Sequence, residues 1–449
     1  MSFFIKIILI LTFFLLPIFS TAQGAQEIGQ DIEATRSEGH WWQEIEDGFD
    51  SSIRVVTFGM YQDLAKSTQN PDNNFLELAR YRYDLELRPD FRLNWRILDL
   101  GVKPRVNLRW QQWKEGNRDG DEDWDEDWYL NEWIVRVRVG ENLFVSYGRE
   151  NLQWGPSYLI SPSNPFFRDN GRRNPIQEVP GMDFGRIVWL PDEWWTLSFI
   201  ANTSKGRQEN LFGDFEKTYA LKFDYNGQES YASLIVSHRS GDRDRLGGFA
   251  GWTATDALLL YAEGAVSKGT NALYPEKTDN PLGATMEAVA DENSSIEGIA
   301  LIGGSYTLAV GPTLTVEYVH NSPGYSDEEA GDYYELRRNA ADNLSSPGTI
   351  GELASLTLSQ TLDPGLSLQR RNYAMFQYIQ TDIRDVLDIT CRWTQNIDDG
   401  SGQFISIVQY YWGDHIQLFS VGTINSGGGD TEFGSILDYQ WMLGLEYTF

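Results

Sequence analysis

The chain has 449 residues, of which 41% are hydrophobic and 14% aromatic, and 65 acidic residues outnumber 36 basic ones, giving a formal net charge of −29. So many aromatic residues exclude a mainly disordered acidic protein, because such proteins contain few of them. The acidic balance argues against a nucleic-acid partner, which requires a basic surface. The single cysteine excludes an internal disulfide framework and a cysteine-rich zinc site.

The N-terminus contains the one long apolar run of the sequence, residues 3–19, with Lys6 as its only charge. The run leads into Ser20-Thr21-Ala22, small residues that suit cleavage before Gln23. This pattern predicts a secretory signal peptide over residues 1–22, with an N-terminal anchor helix as the alternative. Residues 23–52 are then expected to form a short periplasmic extension.

The C-terminal thirteen residues alternate between apolar and polar side chains. Alternation of this length predicts a strand with one face toward lipid and the other toward a wet interior. The same pattern recurs in residues 78–88, 102–111, 217–225 and 386–394, where many of the alternate positions carry charges. An unpaired charge in a dry core is costly, so a water-filled interior explains these positions. The apolar face of the last segment consists of Leu437, Tyr439, Trp441, Leu443, Leu445, Tyr447 and Phe449.

The whole chain after residue 52 divides into about eighteen such segments. We therefore predict an all-β fold, a transmembrane antiparallel β-barrel over residues 53–449, with sixteen strands as the alternative. The predicted strands are 53–63, 77–88, 102–113, 130–139, 143–150, 183–190, 194–203, 217–225, 229–239, 245–253, 257–268, 296–308, 312–321, 371–382, 385–396, 403–412, 415–424 and 437–449.

The predicted connections alternate between short and long from the fourth strand onward. Short ones, such as Asn226-Gly227-Gln228 and Gly413-Asp414, contain the residues that tight turns need. The longest are 151–182, 269–295 and 322–369. Barrels of this class have short periplasmic turns and long outer loops, and this phase places both termini on the short-turn side. The connection 89–101 is longer than expected and suggests a bulge.

The C-terminus resembles the terminal signal of Gram-negative outer-membrane proteins, through Trp441, Leu443, Leu445, Tyr447 and the final Phe449. This resemblance implies recognition by the barrel-assembly machinery and localisation in the outer membrane. A second resemblance is to capsule-assembly barrels of the Wzi type. It is carried by Trp154-Gly155-Pro156, by Ser161-Pro162-Ser163-Asn164-Pro165 and by Pro180-Gly181. It implies a role with an acidic polysaccharide, which Arg168, Arg172 and Arg173 would suit.

Nine basic residues of the early strands are expected to face the interior. Guanidinium groups in a confined aqueous passage attract carboxylates and phosphates and orient them through paired hydrogen bonds. The alternative is that they pair with Asp84, Glu86 and Glu132 and brace the barrel. The predicted pore-lining residues are Arg80, Arg82, Arg88, Lys103, Arg105, Arg109, Arg136, Arg138 and Arg186.

Two outer connections have distinctive compositions. Residues 119–127 hold seven acidic residues, Asp119, Asp121, Glu122, Asp123, Asp125, Glu126 and Asp127. We interpret this stretch as a solvated acidic loop, with attraction of divalent cations as the alternative. Residues 322–369 contain helix-compatible stretches at 335–344 and 351–358. Since long irregular loops are usually functional or disordered, we expect this one to fold inward and narrow the pore.

The leading function is therefore an outer-membrane porin-like channel for passive diffusion of small polar or charged solutes. A barrel of 16–18 strands is wide enough for an aqueous passage. The alternative is a barrel for surface assembly or export of an acidic polysaccharide. A hydrolase is a weaker third class, suggested by His238 and by His320-Asn321-Ser322. We predict no catalytic residue, cofactor, metal or nucleic-acid partner. The expected partners are outer-membrane lipid, lipopolysaccharide, the barrel-assembly machinery, and small solutes or acidic polysaccharide.

Overall fold

The structure is a computed structural model that describes residues 40–167, 170–208, 215–240, 243–289 and 295–449. The predicted signal peptide, residues 1–22, lies outside the described residues. The N-terminal unit contributes one described element, helix α1 (His40–Gly48), in which the rings of Trp41 and Trp42 stack with centroids 3.9 Å apart. The second compact unit begins at Gly48. Among the described residues, no helix is long and apolar enough to cross a membrane.

The second unit is an antiparallel sheet of eighteen strands, as the sequence predicts. Two further strands, β12 and β13, form a separate hairpin within the connection that follows β11. The strands are β1 (Phe49–Leu64), β2 (Tyr81–Trp95), β3 (Leu98–Gln112), β4 (Glu122–Val139), β5 (Leu143–Glu150), β6 (Met182–Trp189), β7 (Trp195–Ser204), β8 (Thr218–Asn226), β9 (Ser230–Arg239), β10 (Asp244–Thr255), β11 (Leu258–Lys268), β12 (Leu273–Lys277), β13 (Ala284–Ala288), β14 (Ile296–Thr307), β15 (Thr313–Asn321), β16 (Asn372–Ile383), β17 (Leu387–Asn396), β18 (Gly402–Trp412), β19 (Ile416–Ser426) and β20 (Leu437–Thr448).

The sheet closes into a barrel through its first and last strands. β1 pairs with β2 on one side and with β20 on the other, so that Tyr61 lies opposite both Tyr81 and Trp441. Closure removes both sheet edges, which is the condition for a sheet to cross a membrane. The strand count of eighteen is confirmed, and the alternative of sixteen is wrong.

The alternation of apolar and polar residues corresponds to two faces of the barrel wall. On β15, Val316 is 56% exposed, whereas the next residue, Glu317, is only 1% exposed. On β14, Ile302 is exposed and its neighbour Leu301 is buried. Apolar side chains thus cover the outside, as in a barrel that faces lipid. The fold is that of a transmembrane β-barrel.

The interior face is less uniformly polar than the sequence pattern indicates. Val56, Phe58, Ile405 and Met442 form one buried apolar cluster on the inner wall, and Leu301, Val319 and Met375 belong to another. Both clusters include residues of the connection between β5 and β6, namely Ile176 in the first and Leu159 and Ile160 in the second. The expectation of a wet interior fails at these places because a chain segment fills the space.

The ends of the barrel differ as predicted. Eight connections of two to five residues lie on the side of both termini, here called the inner end, and the long connections lie at the outer end. The unusually long connection 89–101 disappears, because β2 extends to Trp95 and β3 starts at Leu98. The pairing of the two strands is interrupted between Leu87–Val106 and Phe91–Val102 but keeps its register, so the suggested bulge is not seen between them; a register shift lies instead in the pairing of β3 with β4, at Lys103 and Pro104.

The acidic stretch 119–127 is not a loop, and that prediction is wrong for most of its length. β4 begins at Glu122 and pairs with β3, so that Asp125 lies opposite Arg109 and Asp127 opposite Asn107. The aromatic residues Trp124 and Trp128 favour a strand. The acidic residues between them stay exposed to water, so their charges do not prevent strand formation. Their exposure agrees with the solvated character expected of this stretch.

The connection 322–371 forms a helical layer at the outer end. Its helices are α2 (Asp327–Asn343) and α3 (Thr349–Leu362), which confirms the helix-compatible stretches. They share a buried core with hairpin β12–β13, through Leu336, Leu358, Leu282 and Met286. The helices of this connection therefore have an apolar partner at the outer end, and the structure instead places the described residues of the connection between β5 and β6, 151–167 and 170–181, inside the barrel.

Candidate solute pathway through the barrel

The inward position belongs to the connection between β5 and β6, whose described residues, 151–167 and 170–181, we call the constriction segment. Strand residues from several parts of the wall donate hydrogen bonds to its backbone carbonyls. These bonds run from Arg88 on β2 to Ile176 (3.0 Å), from Arg239 on β9 to Pro165 (3.0 Å), from Arg245 on β10 to Pro162, and from Arg392 on β17 to Arg172 (3.1 Å). Since β2 and β10 lie far apart around the barrel, the segment crosses its interior.

The local sequence explains why this segment can enter the barrel. Asn164 accepts from the backbone N–H groups of Phe166 and Phe167, which ties a tight turn internally. Arg172 donates to the carbonyls of Gly155, Pro156 and Ser157 at 2.7–3.1 Å, which satisfies backbone groups that no strand covers. The sequence suggested Arg172 as a contact for an acidic polysaccharide, but its guanidinium group forms these hydrogen bonds within the segment itself. Arg168 lies outside the described residues.

Eight of the nine basic residues predicted to line the pore lie on strands β2 to β6, Arg80 lies directly before β2, and most of the nine contact carboxylates. Arg138 lies instead over the ring of Phe144, with 5.4 Å to the centroid. The ion pairs are Arg80 with Asp63 and Glu115, Arg82 and Arg109 with Asp84, Arg88 with Glu86, Lys103 with Glu132, Arg105 with Asp90 and Glu178, Arg136 with Asp99, and Arg186 with Glu150.

Two carboxylates of this wall are each shared between two guanidinium groups. Asp84 is fully buried and accepts from Arg82 Nη2 at 2.8 Å and from Arg109 Nε at 3.0 Å. Nearer the inner end, Asp99 accepts from Arg92 and from Arg136 at 3.0–3.1 Å. Each group of three carries one positive charge in excess, while Arg109 and Arg136 stay about one-third exposed. The wall therefore offers cationic edges to water.

A second ionic group joins this wall to the base of the constriction segment. Arg105 donates to both oxygens of Glu178 at 2.7 Å and to Asp90 at 2.8 Å, and Asn131 donates to Glu178 at 3.1 Å. Burial alone would raise the pKa of Glu178, but the hydrogen bonds from Arg105 and the nearby charges of Arg88 and Arg54 outweigh it and lower that pKa.

The sequence did not single out three members of this group, Arg54, Asp90 and Glu178. Arg54 lies on β1, 3.1 Å from Asp90 and 3.8 Å from Glu178. Its place among alternating residues of β1 was a usable signal, because it faces the same side as Val56 and Phe58. Glu178 had no such signal, since its position depends on the path of a loop.

The inner end of the pathway is a cavity of about 460 Å³. Ionisable side chains of both signs line it together with Phe91, Val102, Trp133 and Ile134, so that a solute there meets charges of both signs beside apolar side chains. Its walls include Asp50, Arg92, Asp99, Lys103, Glu132 and Arg136.

The residues that suggested a hydrolase make other contacts. Ser322 Oγ donates to Glu297 and accepts from the N–H of Gly298, while His320 Nδ1 lies 3.0 Å from Asn372 Oδ1. His238 pairs with Asp244 at 2.8 Å. Each of these side chains thus has a partner other than the one a Ser–His pair would require.

Fold and interior together define a class, the eighteen-stranded transmembrane barrels whose lumen is crossed by an inward-folded segment. The chain is similar to the solved structure of OccAB1 from Acinetobacter baumannii (TM-score 0.57, 13% identity, 90% of this chain and 97% of that one). It is also similar to two structures from Pseudomonas aeruginosa. The first is OccK11 (OpdR), with a TM-score of 0.52 and 10% identity over 90% of this chain and 96% of that one. The second is the outer membrane protein OprD, with a TM-score of 0.51 and 11% identity over 90% of this chain and 94% of that one.

At these identities the likeness concerns the fold. No protein-family model matches the sequence, and no curated protein matches it.

Proposed function

We propose that this protein is a porin-like channel of the cell outer membrane, through which small polar or charged solutes diffuse passively. The closed barrel, the apolar outer face and the ion-paired inner wall support this function. The similarity in fold to OprD, an outer membrane protein of Pseudomonas aeruginosa, supports the same location. Diffusion needs no chemical step, so the side chains act by shaping the passage and its electric field.

The observation that carries the proposal is the sharing of Asp84 and Asp99 between pairs of arginines. A fully paired wall would be neutral, but two guanidinium groups per carboxylate leave one positive charge at each place. Two unit charges 4 Å apart interact by about 1 kcal/mol in water and by about 4 kcal/mol at an effective dielectric constant of 20. A solute carboxylate or phosphate in the narrow passage would experience a value between these limits.

The nine predicted basic residues would then have two roles. Arg80, Arg88, Arg105 and Arg186 have carboxylate partners of their own, which supports bracing of the wall. Arg82, Arg109 and Arg136 belong to the shared groups and would contact passing anions. Lys103, 41% exposed, and Arg138 would extend this cationic path in the inner half of the barrel.

The partners proposed for biogenesis follow from the outer surface. β20 ends one residue before Phe449, and its outward side chains alternate with inward ones, as expected of a strand that the barrel-assembly machinery recognises. Lipid and lipopolysaccharide would contact the exposed apolar band. The similarity to capsule-assembly barrels stays a prediction from the sequence.

Reconstitution of the purified protein in a planar bilayer tests the function. We expect steady ohmic conductance, with a reversal potential in a KCl gradient that indicates preference for chloride. Liposome swelling with small carboxylates and with neutral sugars of equal size then measures solute passage. A barrel that inserts without conducting and binds an acidic polysaccharide would contradict the proposal in favour of the assembly function.

A further inference from the structure

Residues 157–163 of the constriction segment form hydrogen bonds with two buried glutamates of the barrel wall. Glu263 on β11 is 3% exposed, and Glu317 on β15 is hidden to a similar degree. Between them lies β14, whose residue opposite both Tyr261 and Glu317 is Gly303. Because glycine has no side chain, the ring of Tyr261 passes over β14, and its hydroxyl donates to Glu317 Oε1 at 2.7 Å.

Glu263 holds the segment mainly through hydroxyl groups. Its Oε1 accepts from Ser161 Oγ (2.7 Å), from Ser163 Oγ (2.7 Å) and from the N–H of Ser163 (3.1 Å), and its Oε2 accepts from Ser157 Oγ (2.6 Å). Gly155 makes this approach available, because a Cβ there would lie 2.4 Å from Glu263 Oε2.

Glu317 holds the segment through its backbone. Oε1 accepts from the N–H of Tyr158 at 2.6 Å, and Oε2 accepts from the N–H of Leu159 at 2.9 Å. Unlike a hydroxyl, a backbone N–H can only donate, so this interaction has a fixed direction. Leu159 and Ile160 follow directly and pack into the apolar cluster with Leu301 and Val319.

We propose that Glu263 and Glu317 are positioning residues that latch the constriction segment to the wall and thereby set the width and ion selectivity of the passage. Seven hydrogen bonds converge on two carboxylates that line no solvent, which is far more than strand pairing requires. The consequence for selectivity rests on the proposed channel function, while the latch itself can be tested without it.

Amide substitution distinguishes the two glutamates. In E263Q the amide nitrogen can take the place of Oε2. Ser157 Oγ then accepts a hydrogen bond from this nitrogen instead of donating one, so the contacts of residue 263 with the three serines are kept. In E317Q the amide nitrogen faces the N–H of either Tyr158 or Leu159, and a buried donor stays unsatisfied. The control is E141Q, at the exposed turn between β4 and β5.

The first measurement is thiol labelling of Ile160→Cys in a Cys391→Ser background, in detergent, with a membrane-impermeant reagent. Ile160 is buried under the latch. An unsatisfied donor should release the segment often enough to speed labelling about tenfold in E317Q, equivalent to about 1.4 kcal/mol. E263Q and E141Q should label at the unsubstituted rate, and equal rates in E317Q and E141Q would overturn the latch.

The second measurement is single-channel current. With both glutamates changed to alanine, we expect conductance to rise about twofold and chloride preference to fall, because passage depends on the width and lining of the pore. Should the double variant fail to fold, S157A/S161A/S163A removes three hydroxyl donors from the segment while leaving the wall intact, and the same two changes are expected. Unchanged conductance and selectivity in a variant with fast labelling would refute the positioning role, whereas a non-conducting parent protein would refute the channel function alone.

Discussion

Arg105 on β3 and Glu178 of the constriction segment form a two-point ion pair, with both N–O distances at 2.7 Å. The guanidinium group is almost completely buried, and it also contacts Asp90 and the carbonyls of Pro89 and Pro104. This one side chain therefore connects the irregular pairing of β2 and β3 to the base of the segment that crosses the barrel.

Arg105→Ala should destabilise the folded barrel by about 1–3 kcal/mol, because it removes the charged donor of Glu178 and Asp90 and the donor to the carbonyls of Pro89 and Pro104. Urea unfolding in detergent, followed by tryptophan fluorescence, measures the loss. Arg92→Ala is the matched control, since Arg92 is more than half exposed and its partner Asp99 keeps Arg136. An exposed pair contributes about 0–1 kcal/mol, so equal effects of the two substitutions would contradict the role of Arg105.

Acid should weaken the same contact. The pKa of Glu178 is lowered in the folded protein, so the unfolded state takes up its proton first as the pH falls. The stabilisation is complete above the ordinary glutamate pKa of about 4.3 and is lost as the pH falls through the lower folded value. The unfolding free energy of the unsubstituted protein should therefore drop below this pH more steeply than that of Glu178→Gln. Parallel pH profiles of the two proteins would show that Glu178 is not the group concerned.

Much of the barrel wall could be predicted because its cause is local. Every second residue meets lipid, so Val316 and Ile302 mark the outer face without knowledge of any partner strand. The short turns at the inner end could also be predicted, because the residues that a tight turn needs are visible in the local sequence. The acidic stretch at 122–127 misled because charge usually indicates a loop, whereas exposed strand positions tolerate it.

The content of the lumen could not be predicted, because it depends on contacts between residues far apart in sequence. Arg105 and Glu178 are 73 residues apart, and Ser157 and Glu263 are 106 apart. Glu263 did stand alone among Tyr261 and Ala265 on the inner face, and a single carboxylate in an apolar row was a signal of a buried partner. The nature of that partner was not in the strand sequence.

Arg82 and Arg109 should control ion selectivity through their shared carboxylate. Replacing both with glutamine leaves Asp84 without its two charged partners and changes the local charge from positive to negative. We expect the reversal potential in a KCl gradient to move toward cation preference, while Lys217→Gln, an exposed position next to β8, leaves it unchanged. If the potential does not move, these arginines only brace the wall.

Gly303→Ala tests the space that Tyr261 occupies. A Cβ at this position would lie 2.5 Å from the Tyr261 ring, so the ring must shift and its hydrogen bond to Glu317 must lengthen or break. Overpacking of this kind costs about 1–3 kcal/mol, to be measured by urea unfolding in detergent. Gly59→Ala is the control, because a Cβ there meets nothing within 4 Å. Equal stability of both variants would show that the ring has room to move.

Arg337→Ala should loosen the outer layer without opening the barrel. Arg337 is buried in α2 and donates to Thr68 Oγ1 at 3.0 Å, to Gln69 Oε1 at 3.4 Å and to the carbonyl of Gly429. It thus joins α2 to the connections after β1 and after β19, and its loss leaves buried acceptors unsatisfied at a cost of about 1–3 kcal/mol. Hydrogen exchange should rise in α2 and in residues 65–80 and stay slow in the strands.

Its neighbour Arg338 provides the control for this effect. Arg338 is nearly half exposed and pairs with Asp430 at 2.7 Å, and an exposed pair of this kind adds about 0–1 kcal/mol. Arg338→Ala should therefore leave exchange in α2 almost unchanged. If both substitutions accelerate exchange equally, the charge of α2 and not the buried hydrogen bonds of Arg337 holds the outer layer, and if the strands also accelerate, that layer and the barrel unfold as one unit.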